Sequence, residues 1–257
     1  MPPSPSLHKA IVTRPAREAA EWVAALQAHG IDAIALPLIA ITPHTSLELQ
    51  AARERLADYR AAMFVSGNAV QHFFEPNRPP ALTGQALAAI KTRVWTPGPG
   101  TARQALALGV PATLIDGPAP DAAQFDSEAL WAQVAAQVRP GDRVLIVRGV
   151  GTGREWLAEQ IRAAGGMVDF VAAYQRSAPE FTTAQLALAQ AAAHDGSLWL
   201  FSSSEAIAHL PGADWSHARA LATHPRIAQA ARAAGFGKVT TCKPALPDVI
   251  AALKSAA

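Results

Sequence analysis

The feature that most constrains this chain is a repeat. Ile11-Val12-Thr13-Arg14 is an apolar run ending in arginine, and Leu145-Ile146-Val147-Arg148 is another. Trp22 stands eight positions after Arg14 and Trp156 eight after Arg148, each directly preceded by glutamate (Glu21, Glu155). Both helical stretches stop at glycine, Gly30 and Gly165, and are followed by Ile31-Asp32 and Val168-Asp169. Repeated spacing of this kind predicts two related structural units rather than one large sheet.

The second copy, GDRVLIVRGVGTGREWLAEQIRAAGGMVDFVAAYQRSAP from Gly141 to Pro179, shows what each unit is. Val144–Val147 is a short β-branched apolar run, the pattern of a strand buried on both faces. Gly149, Gly151 and Gly153 predict a tight turn, and Leu157, Ile161 and Ala164 fall at i, i+4 and i+7 on one helical face. Gly165 and Gly166 stop the helix, Met167–Val171 starts the next strand, and a tail runs to Tyr174-Gln175-Arg176. This order is a parallel βαβ unit, whose strand-to-helix turn is where such sheets bind ligands. The ligand side therefore includes the stretch from Arg148 to Arg154.

The rest of the chain repeats as well, but permuted. Phe64-Val65-Ser66 matches Leu200-Phe201-Ser202, and Trp95…Gly98-Pro99-Gly100-Thr101-Ala102 matches Thr223-His224-Pro225-Arg226-Ile227-Ala228. The Arg148 unit closes the middle of the chain, whereas its partner opens it. One domain, 1–40 plus 178–257, is thus expected from both chain ends, with a second, 44–172, inserted into it. Linkers near 36–45 and 171–179 would run side by side. The fold class is α/β: two similar doubly wound parallel-sheet lobes of flavodoxin or Rossmann type, joined by a two-stranded linker, with a cleft between them as the default small-ligand site. Helices are expected at 47–56, 69–74, 102–108, 125–138, 184–193 and 246–253. Strands are expected at 61–65, 94–95, 114–115, 198–201, 221–223 and 239–242. Pro76–Pro80 reads as a loop, and Pro37 makes 31–41 an edge strand or crossing linker.

Composition narrows the function. With 257 residues, 50% of them hydrophobic and 16% charged, the chain matches an ordinary globular protein of one or two domains. A formal net charge of +2 without a Lys/Arg stripe argues against nucleic acid as partner, although strand-end arginines suit an anionic small molecule. No apolar run approaches the roughly 20 residues that span a bilayer. Met1–Ser6 lacks the pattern of a signal peptide, so the expected location is the cytoplasm. Cys242 is the only cysteine and reads as a buried, inert thiol in a strand; no cluster has metal-ligand spacing. Gly149-Val150-Gly151-Thr152-Gly153 falls one residue short of the dinucleotide fingerprint, and a two-lobed binding protein is the remaining rival class.

Taken together, Ile11–Arg14, Phe64-Val65-Ser66-Gly67-Asn68-Ala69-Val70, Gly98-Pro99-Gly100-Thr101-Ala102, Leu145–Arg154 and Tyr174-Gln175-Arg176 resemble the uroporphyrinogen-III synthase family, over nearly the whole chain from Ile11 to Leu253. The resemblance implies two α/β lobes joined by a two-stranded ladder. It implies a monomeric lyase of haem and tetrapyrrole biosynthesis that closes hydroxymethylbilane to uroporphyrinogen III, with loss of water and inversion of the last pyrrole. Neither cofactor nor metal is expected. Where the family often carries a second threonine in a Gly-Pro-Thr-Thr-like turn, this chain has Ile227, so no hydroxyl contact is expected there.

That substrate carries acetates and propionates, and the candidates to bind them are helix N-termini and arginines. These are Ser66, Gly100, Thr101, Ala102, Gly149, Ser202, Ser203 and His224, with Arg14, Arg148, Arg154, Arg176 and Arg226. Tyr174 is the candidate to help the hydroxyl leave, as proton donor or through a hydrogen bond. Several have a plainer alternative: a satisfied linker tyrosine for Tyr174, surface strand ends for Arg14 and Arg148, helix caps for Ser66 and Thr101. Trp22 and Trp156 read as core.

Overall fold

The computed structural model describes residues 9–74, 91–119, 122, 124–151, 153 and 155–255. The expected loop Pro76–Pro80 and the candidate Arg154 lie outside them. The chain divides into two compact units, Met1–Ala40 with Ser177–Ala257, and Ile41–Arg176. Both division points fall within strands that neighbour one another in a sheet, Ala40–Pro43 (β3) and Met167–Ser177 (β8).

The first unit is built on Ala10–Val12 (β1), three residues with no exposed surface. Ala16–Ala28 (α1) leads from it to Ala33–Ala35 (β2), which pairs parallel to β1. On the other flank of β1 stand Leu198–Phe201 (β9), Arg219–Ala222 (β10) and Lys238–Thr241 (β11), again all parallel. The sheet order is β11-β10-β9-β1-β2. Pro37 lies just beyond β2, which is an edge strand. The expected run 31–41 is in fact two strands, β2 and β3. Trp199 and Phe201 are fully buried and meet Trp215 and Phe236, whose rings stack with centres 5.3 Å apart. Each large buried side chain of this kind stabilises by roughly 2–3 kcal/mol.

Among the described residues the sheet of the second unit has six strands. Ala61–Phe64 (β4), Arg93–Trp95 (β5), Ile115–Asp116 (β6), Arg143–Gly149 (β7) and β8 pair parallel in the order β8-β7-β4-β5-β6, and β3 flanks β8. Read from β2 and from β8, the two orders correspond strand for strand, so the permuted duplication is present in the topology. Each sheet reverses its winding once, between β1 and β9 in the first and between β7 and β4 in the second. Helices Gly67–Phe74 (α3) and Pro99–Ala107 (α4) cover one face of the second sheet around Phe64, Phe73 and Phe74. Ser127–Val134 (α5) and Trp156–Ala163 (α6) cover the other around Trp95. Leu47–Glu54 (α2) belongs with α3 and α4.

Several expectations need correction. The helix expected over 125–138 is α5 followed by a 3-10 turn, Ala135–Gln137, because Asp126 accepts the Ala129 N–H at 2.8 Å and so starts the helix after Phe125. The tail read beyond Val171 is the continuing strand β8, eleven residues long, with Tyr174 inside it. Strand β10 begins at Arg219 rather than Leu221, and Thr223 falls outside it. Cys242 stands just past β11 and is half-buried rather than buried, although burial, with Asp248 nearby, pushes its thiol upward.

Candidate active site

In a doubly wound sheet the strand carboxyl ends beside the winding reversal are left uncovered, because the connections on either side leave in opposite directions. In the second unit that place holds a cavity of about 420 Å³. It draws on the ends of β4, β5, β7 and β8 and on the start of α5, so its residues come from five separate stretches of sequence. Arg148, Gly149, Tyr174 and Arg176, four of the expected residues, line it.

Tyr174 is 5% exposed, and its hydroxyl lies 3.2 Å from Ser66 Oγ. It arrives there through an irregularity in the β7–β8 ladder. Arg148 pairs with Ala172 but Gly149 pairs with Tyr174, so one extra residue on β8 re-aims the strand. The Val150 N–H donates to the Tyr174 carbonyl at 2.8 Å and closes the bulge. Gly149 therefore serves a different end from the tight turn expected of it. It is the last residue of β7, and of the three glycines only Gly151 takes a positive φ, +107°. Gly149 supplies space: a Cβ there would stand 3.0 Å from the Tyr174 ring.

Arg148 stands over Phe170 of β8, its guanidinium carbon 4.2 Å from the ring centre. Such a contact holds the group without consuming its N–H donors. Arg176, also on β8, is exposed at the cavity. The apolar side of the cavity includes Phe125, Phe170 and Val65, none of which the sequence had singled out as a site residue. Phe125 is 43% exposed and covers Gly98, where a Cβ would come within 3.3 Å of it. An aromatic directly before the Asp126 cap was the one available signal for it.

The expected residues of α4 are not at this cavity. Gly98, not Thr101, occupies the cap position, with no side-chain bond, and Thr101 is buried in the first turn. Thr101 and Ala102 both direct their N–H groups to the Gly98 carbonyl, and Pro99 has none to offer. Gly100 is exposed there. Ser66 is the cap of α3 that the plainer alternative proposed, accepting the Ala69 N–H at 3.2 Å.

In the first unit the candidates stand at corresponding strand ends. Arg14 follows β1, pairs with Glu18 at 3.3 Å and lies 4.1 Å over Trp22. Burial lowers its pKa against the opposing pull of Glu18. The eight-residue spacing from arginine to tryptophan is thus a contact in this copy, whereas Arg148 lies over Phe170 instead. Ser202 follows β9, and Ser203 caps Ser204–Ala208 by accepting the Glu205 N–H at 3.2 Å. His224 caps Pro225–Ala233 by accepting the Arg226 N–H at 3.1 Å on Nδ1. Arg226 is exposed, and Ile227 is buried at 6%, a core position. Among the described residues no three His, Cys, Asp or Glu side chains stand together as metal ligands, and no helix is long and apolar enough to cross a membrane.

A family model described as uroporphyrinogen-III synthase HemD matches residues 20–251. The structure is similar to that of uroporphyrinogen-III synthetase from Helicobacter pylori, with a TM-score of 0.61 and 16% identity over 96% of this chain and 99% of that one. It is also similar to a mutant uroporphyrinogen III synthase from the extremely thermophilic bacterium Thermus thermophilus, with a TM-score of 0.53 and 17% identity over 97% and 98%. At these identities the structural likeness bears on fold, and the family match bears on kinship.

Proposed function

The chain belongs to the uroporphyrinogen-III synthase family, and on that premise we propose which of its residues carry the reaction. The enzyme is a cyclising lyase that needs no cofactor. It converts hydroxymethylbilane to uroporphyrinogen III with loss of water and inversion of the terminal pyrrole ring.

The observation that carries the site assignment is the meeting of a buried phenol, two arginines and an apolar wall at one sheet's carboxyl edge. The hydroxymethyl oxygen departs with its bonding pair and leaves an azafulvene cation. Inversion requires that the last ring's bond to its bridging methylene break while its two α-carbons exchange partners, and the α-carbon that bore hydrogen gives up that proton, so no net acid is consumed. A substrate this reactive needs chiefly to be folded, oriented and kept from water. Phe125, Phe170 and Val65 offer faces for pyrrole rings, and Arg148 and Arg176 offer charge-assisted donors for carboxylates. Tyr174 donates a hydrogen bond to the departing oxygen and, at the limit, its proton, which the ring-closure proton restores. In the first unit Arg14, Ser202, Ser203, His224 and Arg226, and in the second Gly100 and Arg154, remain candidates for further carboxylates, whereas Thr101 and Ala102 already give their N–H groups to Gly98.

The same reading takes the protein as a monomer of the cytoplasm acting on a small molecule, with neither nucleic acid nor membrane as partner. The test is incubation with enzymatically generated hydroxymethylbilane, followed by separation of product isomers. Isomer III is expected; isomer I alone, as forms without enzyme, would defeat the assignment.

A further inference from the structure

Ser66 does two things at once. Its Oγ accepts the Ala69 N–H as the cap of α3, and it meets the Tyr174 hydroxyl at 3.2 Å. A serine hydroxyl has one proton to give, and among the described residues Tyr174 is the acceptor that stands in reach of it. Either oxygen can be the donor of this pair. The two arrangements are not equivalent once substrate is present. With Tyr174 as donor, its proton is spent on Ser66 and withheld from the substrate, and among the described residues the serine proton has no other acceptor. With Ser66 as donor, every proton is used: serine to phenol, phenol to the departing oxygen.

We propose that Ser66 is a positioning residue for Tyr174, directing the phenol proton into the cavity, and that Gly149 keeps open the space in which the ring is held. The inference rests on the reading of Tyr174 given above. As the departing oxygen draws the phenol proton and leaves as water, Ser66 keeps its own proton and hydrogen-bonds the oxygen on which charge develops. The ring itself is held by the bulge and by the Val150–Tyr174 backbone bond, and any Cβ at position 149 would press on Cε2 and Cζ at 3.0 Å and on the hydroxyl at 3.4 Å.

A double-mutant cycle on the full-length enzyme tests this. Ser66→Ala should lower kcat about 5- to 10-fold, the worth of one neutral hydrogen bond, with KM unchanged. Ser66→Thr, which keeps both cap and hydroxyl, should recover most of that loss. In a Tyr174→Phe background Ser66→Ala should cost nothing further, because the oxygen it serves is gone. Gly149→Ala should likewise lower kcat only where residue 174 is tyrosine. If Ser66→Ala does not fold, Ser66→Asp retains the cap without a proton to donate and enters the same cycle. Equal losses in both backgrounds would make Ser66 a helix cap alone and overturn the inference while leaving Tyr174 its role. Wild-type turnover in Tyr174→Phe would instead remove the reading of Tyr174, and this inference with it.

Discussion

At the scale of single residues, the two arginines of the repeat show how one motif acquires two uses. Arg148 stands over a ring, with no carboxylate paired to it among the described residues, whereas Arg14 is held by both a carboxylate and a ring. Arg148→Ala should therefore raise KM about 10-fold, with kcat changed less than about 2-fold, since a carboxylate clamp binds ground and transition states alike. Steady-state kinetics at fixed ionic strength decides this; a fall in kcat at constant KM would place Arg148 in the chemical step. The difference between the two arginines is invisible in the sequence, where they share one spacing. It arises because Phe170, on the next strand, comes beside Arg148 only through pairing. In the sequence Tyr174 stood in a tail beyond Val171, and neither the strand that continues through it nor the bulge that buries it was legible. A glycine chosen to clear a ring looks in sequence like a glycine chosen for a turn.

At the scale of elements, the strand-and-helix alternation was legible almost throughout, because parallel strands buried on both faces must be continuous apolar runs. What periodicity missed were the ends. The α5 boundary depends on Asp126, one carboxylate whose capping bond outweighs the helical preference of the residues before it, and the result is that Phe125 faces the cavity. Caps and close approaches of this kind are tertiary facts. The sharpest of them is Gly237, between Phe236 and β11. A Cβ there would stand 1.9 Å from the Ser216 carbonyl oxygen, so backbone must move. Gly237→Ala should destabilise the first unit by about 3 kcal/mol, the upper range for overpacking. It should also weaken the near-ultraviolet circular dichroism of the stacked Trp215–Phe236 pair. A variant with unaltered melting temperature and spectrum would contradict this account of the loop.

At the scale of the whole chain, the permuted repeat was the most legible feature, since it is written in order rather than in any one residue. We propose that Ile41–Arg176, which contributes every described residue of the two buried clusters on its sheet, folds as an independent domain. A fragment of residues 41–176 should then melt cooperatively by circular dichroism; a non-cooperative, expanded fragment would contradict it. The larger claim is that catalysis lies in folding and shielding a reactive substrate, with the phenol as an aid. Turnover of Tyr174→Phe measures this most directly. The account predicts a fall in kcat of about 10- to 100-fold, the low end of general acid contributions, with isomer III still the product. Complete loss of turnover in a variant that still folds and binds product would show an obligatory proton donor and contradict it.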